Sequence, residues 1–182
     1  ALRGAFFVVP KGHPPMLPDY LAPNLRAVIC GVAASRRSGE LGRYYAGPGN
    51  RFWPVLHEAG LVRAPLRVGD EADLFAQGIG LTDIAKGVSG MDHQIDPRAF
   101  SPDRVRGLIA ELRPQAFAFN SKRAAAEFLG LPTRALAYGA MTVPDLPPLW
   151  VLPSTSGAAR GFWDASVWQA FGASLVAPPD PA

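Results

Sequence analysis

The chain has 182 residues, 48% hydrophobic and 18% charged, which implies one globular domain with a buried core and excludes a disordered polymer. Its single cysteine excludes an internal disulfide framework, a four-cysteine zinc site and an iron–sulfur cluster held within one chain, and three scattered histidines do not read as a metal site. A formal net charge of +3 permits an anionic partner such as nucleic acid without demanding one, and no apolar run reaches the roughly 18 residues of a membrane span.

Residues 1–24 carry Pro10, Pro14, Pro15, Pro18 and Pro23 and read either as an extended arm over the surface or as a disordered tail. Their opening apolar run is too short for a signal peptide, so a soluble, cytoplasmic protein is expected, nucleoid-associated if bacterial. The domain proper is expected over residues 25–176, with a short tail at 177–182. Leu25 to Gly31 is a β-branched apolar run ending in glycine, a buried strand followed by a turn. A polar loop is expected from Val32 to Gly49. Asn50 then caps a helix running to about Ala59, with Pro54 near its start where a missing N–H costs least. A second strand spans Gly78 to Asp83, and a loop with Gly87, Gly90, Asp92 and His93 follows it. Ser101 and Pro102 open a helix that turns Val105, Leu108, Ile109 and Leu112 to one face. Gln115 to Asn120 is a third strand. Ser121 caps a helix over Lys122 to Leu129, which Gly130 and Pro132 end. Leu149 to Leu152 is a fourth strand, and a loop from Pro153 to Gly161 leads to a closing helix over Trp163 to Leu175.

Strands alternating with helices predict an α/β fold: a single domain with a central, mainly parallel four-stranded sheet flanked by helices. In such folds ligands bind at the carboxyl ends of the strands. The segments after Gly31, Asp83, Asn120 and Leu152 are therefore expected to face one crevice.

Two segments carry chemistry-bearing side chains. Gly31-Val-Ala-Ala-Ser35 and Tyr44-Tyr-Ala-Gly-Pro-Gly-Asn-Arg-Phe-Trp53 place a glycine-rich turn and an aromatic pair after the first strand. The turn lacks the Gly-Lys-Ser/Thr ending of a phosphate-binding P-loop. Tyr44 and Tyr45 either stack on a base or pack as a lid over the core, while Phe52 and Trp53 read as core. Pro153-Ser-Thr-Ser-Gly-Ala-Ala-Arg160 offers hydroxyls and a guanidinium for phosphates, or serves as an ordinary capping loop.

In order along the chain, Gly31-Val-Ala-Ala-Ser35, Tyr45-Ala-Gly-Pro-Gly-Asn-Arg-Phe-Trp53, Leu81-Thr-Asp83, Phe119-Asn-Ser-Lys122 and Trp150-Val-Leu-Pro-Ser-Thr-Ser-Gly157 resemble the uracil-DNA glycosylase superfamily, nearest its mismatch-specific uracil/thymine branch. The likeness runs from about Leu25 to Phe171, and Gly-Pro-Gly-Asn-Arg-Phe-Trp is its most specific piece. It implies an enzyme that flips uracil out of DNA and hydrolyses its N-glycosidic bond, leaving an abasic site, with no metal or cofactor. It places Tyr45 under the flipped base and Asn120 on the base or the attacking water. Backbone groups near Val32, Ala33 and Tyr45 would read the pyrimidine edge, and Ser154, Thr155, Ser156 and Arg160 would hold DNA.

Two departures stand out. The branch carries Gly-Ile-Asn-Pro-Gly in its first motif, whose Asn positions water; here that position is Ala33, and a methyl group holds no water. Asp83 is the candidate replacement, or else a turn cap; Asp92 and His93 are weaker candidates. Relatives also plug the gap left by the flipped base with a bulky side chain, whereas Ala158 is too small and Arg160 either serves or only touches phosphate. Arg36 and Arg37 reach the DNA backbone or are simply solvated. The expected partner is uracil-containing DNA and the expected state a monomer, acting without a Schiff-base lysine. The alternatives are a non-catalytic binder of uracil or abasic sites, and a glycosylase for another deaminated base.

Overall fold

The computed structural model describes residues 17–178, so most of the Pro-rich arm (residues 1–16) and the end of the tail (179–182) lie outside it. The sheet is built from β1 (Ala27–Gly31), β2 (Ile79–Asp83), β3 (Phe117–Phe119), β4 (Gly139–Met141) and β5 (Leu149–Val151), in the order β2-β1-β3-β5-β4. The first, second, third and fifth strands run parallel, with Gly31 opposite Asp83, Cys30 opposite Phe119 and Phe119 opposite Val151. The sheet therefore has five strands, not four. The added strand, β4, pairs antiparallel with β5 at the outer edge. Its Gly-Ala-Met sequence has no β-branched residue and no buried side chain, so neither of the usual strand signals marks it.

The parallel strands are buried throughout, and their residues divide by the two-residue period of a strand. Ala27, Ile29, Ile79, Leu81 and Ala118 face one hydrophobic cluster, with α2 (Phe52–Glu58), α3 (Glu71–Ala76) and α6 (Ala165–Ser174) packed over it through Leu56, Leu74, Trp168 and Phe171. Val28, Cys30, Phe117, Phe119 and Val151 face the other, under α4 (Pro102–Leu112) and α5 (Lys122–Leu129) through Val105, Ile109, Ala125 and Phe128. Helices cover both faces, as an all-but-parallel sheet requires.

The helices expected from the sequence form with small shifts at their ends. The N-cap of α2 is Arg51, not Asn50, and makes no side-chain capping bond; Asn50, one residue earlier, still accepts from the Phe52 N–H at 3.0 Å. The stretch expected as loop between Val32 and Gly49 contains α1 (Arg36–Leu41), whose cap Ser35 accepts from the Ser38 N–H at 3.1 Å and whose left-handed terminator is Gly42. Its six residues, Arg-Arg-Ser-Gly-Glu-Leu, bury only Ser38 and carry no apolar stripe, so periodicity could not find them. The close crossing of α2 and α6 depends on Gly172, which lies directly on the Ala59 carbonyl.

Residues 17–24 lie against the body of the domain. Leu17 and Leu21 are buried, and Tyr20 and Leu81 exchange two backbone hydrogen bonds of 3.0 Å, so this strap pairs with the outer side of β2. Gly80 permits the approach: a Cβ there would stand 2.7 Å from the Tyr20 carbonyl oxygen.

Candidate active site

The parallel strands deliver their carboxyl ends to one cavity of about 370 Å³. Gly31, Val32 and Ala33 line it from the end of β1, Asp83 from β2, Asn120 from β3, and Ser154, Thr155 and Ser156 from the loop after β5. The expectation of a shared crevice follows from chain direction alone, and these residues meet it. The turn after β1 is fixed by its carbonyls: Gly31, Val32 and Ala34 accept from the N–H groups of Ile84, Ala85 and Gly90 at 2.8–3.0 Å. Ala33 presents a methyl group to the cavity, with no polar atom on its side chain for a water.

Asp83 is the most unusual group in this cavity. It is 3% exposed, and its carboxylate oxygens accept no hydrogen bond among the described residues. The Lys86 ammonium lies 3.9 Å from Oδ2, and the Arg104 guanidinium donates to the Asp83 backbone carbonyl. Burial raises its pKa to about 6, against the opposing pull of Lys86 and Arg104. A buried carboxylate without donors calls for an explanation, because such groups are normally satisfied. Gly31 makes room for it: a Cβ at Gly31 would lie 2.5 Å from Asp83 Oδ1 and 3.1 Å from the Tyr45 hydroxyl oxygen. The carboxylate and the phenol thus converge on the one strand-end residue without a side chain.

Tyr45 and Tyr44 separate in role. Tyr44 is 1% exposed and packs in the core while also lining the cavity. Its N–H donates to Glu71 Oε1 at 3.0 Å, its carbonyl accepts from the Trp53 indole N–H at 3.0 Å, and the following Ala46 N–H donates to Ser38 Oγ at 3.0 Å. These bonds over-determine the turn and hold Tyr45 at φ 53°, a left-handed conformation rare for an aromatic residue and typical of functional sites. Tyr45 lines the cavity, and Phe52 stacks on one face of its ring at 3.9 Å between centroids, so only the opposite face is available to a base. Its hydroxyl is buried without a hydrogen bond of normal geometry. Burial and the nearby Asp83 charge raise its pKa well above the ordinary phenol value, with the Asn120 amide acting the other way.

Asn120 is placed at the cavity but is already engaged. Its Nδ2 donates to Thr155 Oγ1 at 2.9 Å and its Oδ1 accepts from the Thr155 N–H at 3.1 Å. The pair ties the end of β3 to the loop after β5. Thr155 is 1% exposed, so its hydroxyl serves this clamp, while Ser154 is half-buried and Ser156 exposed. Asn120 keeps one amide hydrogen and one lone pair for a ligand.

The remaining expected residues lie around the mouth or away from it. Asp92 and His93 are exposed at the rim. Arg36 and Arg37 are exposed and lie 3.6 and 3.9 Å from Glu40, outside the cavity lining. Arg160 is exposed and rests on the loop at Gly49, where a Cβ would lie 3.0 Å from its Nη2; it does not line the cavity. Phe162 does line it, and is 73% exposed. Met91, on another part of the rim, is 51% exposed. Sequence reasoning missed Phe162, Met91, Glu71, Lys86, Asp19 and Arg104. Nothing local distinguishes any of them: Phe162 and Met91 matter by exposure at the rim, and Glu71, Lys86, Asp19 and Arg104 by ion pairs that include residues distant in sequence.

An open α/β sheet with one polar-floored cleft at its strand ends is a ligand-binding fold whose site lies where chain reversal leaves a crevice. The chain matches the family model of the uracil DNA glycosylase superfamily over residues 18–171, and it belongs to that superfamily. It is also similar to the solution NMR structure of a candidate uracil DNA glycosylase from Methanosarcina acetivorans, with a TM-score of 0.53 and 23% identity over 85% of this chain and 92% of that one. At that identity the likeness extends to the fold.

Proposed function

We propose that the protein is a monofunctional DNA glycosylase acting on uracil, with Asp83 as the group that handles water. The carrying observation is the buried Asp83 carboxylate, which accepts no hydrogen bond among the described residues, at the floor of the cavity. In the reaction a water oxygen bonds to the sugar C1′, the N-glycosidic bond breaks, and its electron pair leaves on the base. Positive charge builds on the sugar and negative charge on the base. Asp83 orients the water, takes its proton and stabilises the sugar cation. Tyr45 supports the flipped base, and the spare amide hydrogen of Asn120 donates to a base oxygen. Ser154 and Ser156 hold the neighbouring phosphates, with Thr155 fixing their loop. Lys122 sits 4.5 Å from the Tyr138 ring centre, which supports hydrolysis without a Schiff base from that lysine.

Single-turnover excision from uracil-containing oligonucleotides, single- and double-stranded, tests the reading, with thymine mispairs and a deaminated purine as competitors. Base release leaving an abasic site supports it. Tight binding of uracil-DNA with no release would replace it with a lesion binder.

Two substitutions probe the parts. Tyr45→Ala removes a stacking platform worth about 1–3 kcal/mol. It is expected to slow excision while affinity for undamaged DNA changes little; equal losses in both would withdraw Tyr45 from the base site. Phe162, exposed beside the cavity, is suited to fill the space a flipped base vacates, as apolar wedges do. Phe162→Ala is therefore expected to reduce excision from duplex by about tenfold more than from single strands, where no stack must be refilled. Equal effects on both substrates would leave Phe162 without that role.

A further inference from the structure

Beneath Asp83 lies a cluster of charges outside the cavity. Asp19, on the strap, accepts from Thr82 Oγ1 at 2.8 Å and meets Lys86 Nζ at 2.7 Å through Oδ1, and meets Arg104 Nη1 at 3.1 Å through Oδ2. Arg104 also donates to Thr82 Oγ1 at 3.2 Å and to the backbone carbonyl of Asp83. Besides Asp19, Lys86 donates to the Leu17 carbonyl at 3.2 Å and to the Tyr44 hydroxyl at 2.8 Å. Two of its three hydrogens are thus directed at Leu17 and Tyr44, and Asp19 holds it as an ion pair. Lys86 therefore faces Asp83 at 3.9 Å, beyond hydrogen-bond distance, and acts on it as a charge.

We propose that Lys86 is a positioning residue for Asp83: anchored on the N-terminal strap, its ammonium keeps the Asp83 carboxylate charged while leaving both carboxylate oxygens free for water. The functional half rests on the reading of Asp83 given above. The cluster holds two carboxylates, Asp19 and Asp83, and two cations, Lys86 and Arg104, so it is neutral when Asp83 is ionised. Without the Lys86 charge, two carboxylates share one guanidinium, and the strain is relieved by protonating one of them. Asp19 still keeps Thr82 and Arg104, whereas the Asp83 carboxylate accepts no hydrogen bond among the described residues, so the proton goes to Asp83. The other groups facing Asp83 are Asp92 at the rim, Tyr44 and Tyr45 in the turn after α1, and Cys30 on β1. None of them is a cation that could replace Lys86.

The test follows the Asp83 side-chain carboxyl carbon by NMR across pH, together with the pH profile of single-turnover excision. Lys86→Gln removes the charge but keeps a hydrogen-bond donor, and Lys86→Arg keeps the charge. The parent midpoint is expected near 6. It should rise by about one unit or more in Lys86→Gln, as expected for loss of an opposite charge within about 4–6 Å, and return toward the parent in Lys86→Arg. If Lys86→Gln is too unstable to titrate, Asp19→Asn tests the cluster with the opposite sign, because losing a neighbouring carboxylate should lower the midpoint. A midpoint that does not move in the titratable variant overturns the proposal. An acid limb of excision that moves with the midpoint supports both halves. A midpoint that moves while the excision limb stays put supports the electrostatic coupling and overturns Asp83 as the water-handling group.

Discussion

Asp83→Asn is expected to slow single-turnover uracil excision by at least about a hundredfold, or roughly 2.7 kcal/mol of barrier, while affinity for uracil-DNA changes little. The substitution is nearly isosteric, so the approach over Gly31 survives it. What it removes is the negative charge and the site that accepts a proton. An amide cannot deprotonate water or balance an oxocarbenium-like sugar. The parent should also show an acid limb. Asp83 titrates near 6 because burial disfavours its charged form, and the carboxylate is the active form. Excision should therefore rise as pH passes through about 6 and level off above it, and the Asn variant should lose that limb. An unslowed variant would return Asp83 to a structural role at the end of β2. Parallel losses of binding and excision would mean that the cavity floor had collapsed.

Gly172→Ala is expected to cost about 3 kcal/mol or more of stability, the upper end of the usual penalty for overpacking. A Cβ at Gly172 would be driven into the Ala59 carbonyl oxygen, with the Ala59 carbonyl carbon at 2.9 Å. Both neighbours are backbone, so no rotamer change relieves the contact. α6 must move away from α2, and Trp168 and Phe171, each 0% exposed, move with it. For a domain of this size the loss corresponds to a fall in Tm of about 6–12 °C. Thermal unfolding followed by circular dichroism measures it, and a shift under about 2 °C would show that the crossing of the two helices is far looser than drawn here.

The sheet was legible because β1, β2, β3 and β5 are short apolar runs ending in punctuation, and alternation with helices fixes their direction. β4 was not, because an exposed antiparallel edge strand needs neither apolar residues nor strong β-formers. α1 was hidden for a different reason: it is one short polar stretch, and its Ser38 gains a partner only from the Ala46 amide in the turn beyond. Asp83, Tyr45 and Asn120 were legible as candidates through the motif likeness and through their places at strand ends. Their environments were not. The Asn120–Thr155 clamp joins residues 35 positions apart, and the Asp19–Thr82 bond joins residues 63 apart. No local pattern encodes such a pairing. Lys86 illustrates the limit best: alone it is one lysine in a loop, and it gains meaning only from the strap that folds back to meet it.

The strap has a consequence for the sheet's behaviour in solution. β2 ends the sheet on one side, and an uncovered outer strand is a template for pairing with another chain. Tyr20 occupies the middle of that edge by exchanging both backbone bonds with Leu81, while the opposite edge, β4, is only three residues long. Neither margin offers a long row of free amides and carbonyls. The segment that anchors Lys86 thus also shields the sheet against strand-by-strand self-association, and a chain trimmed to start at Leu25 would lose that protection.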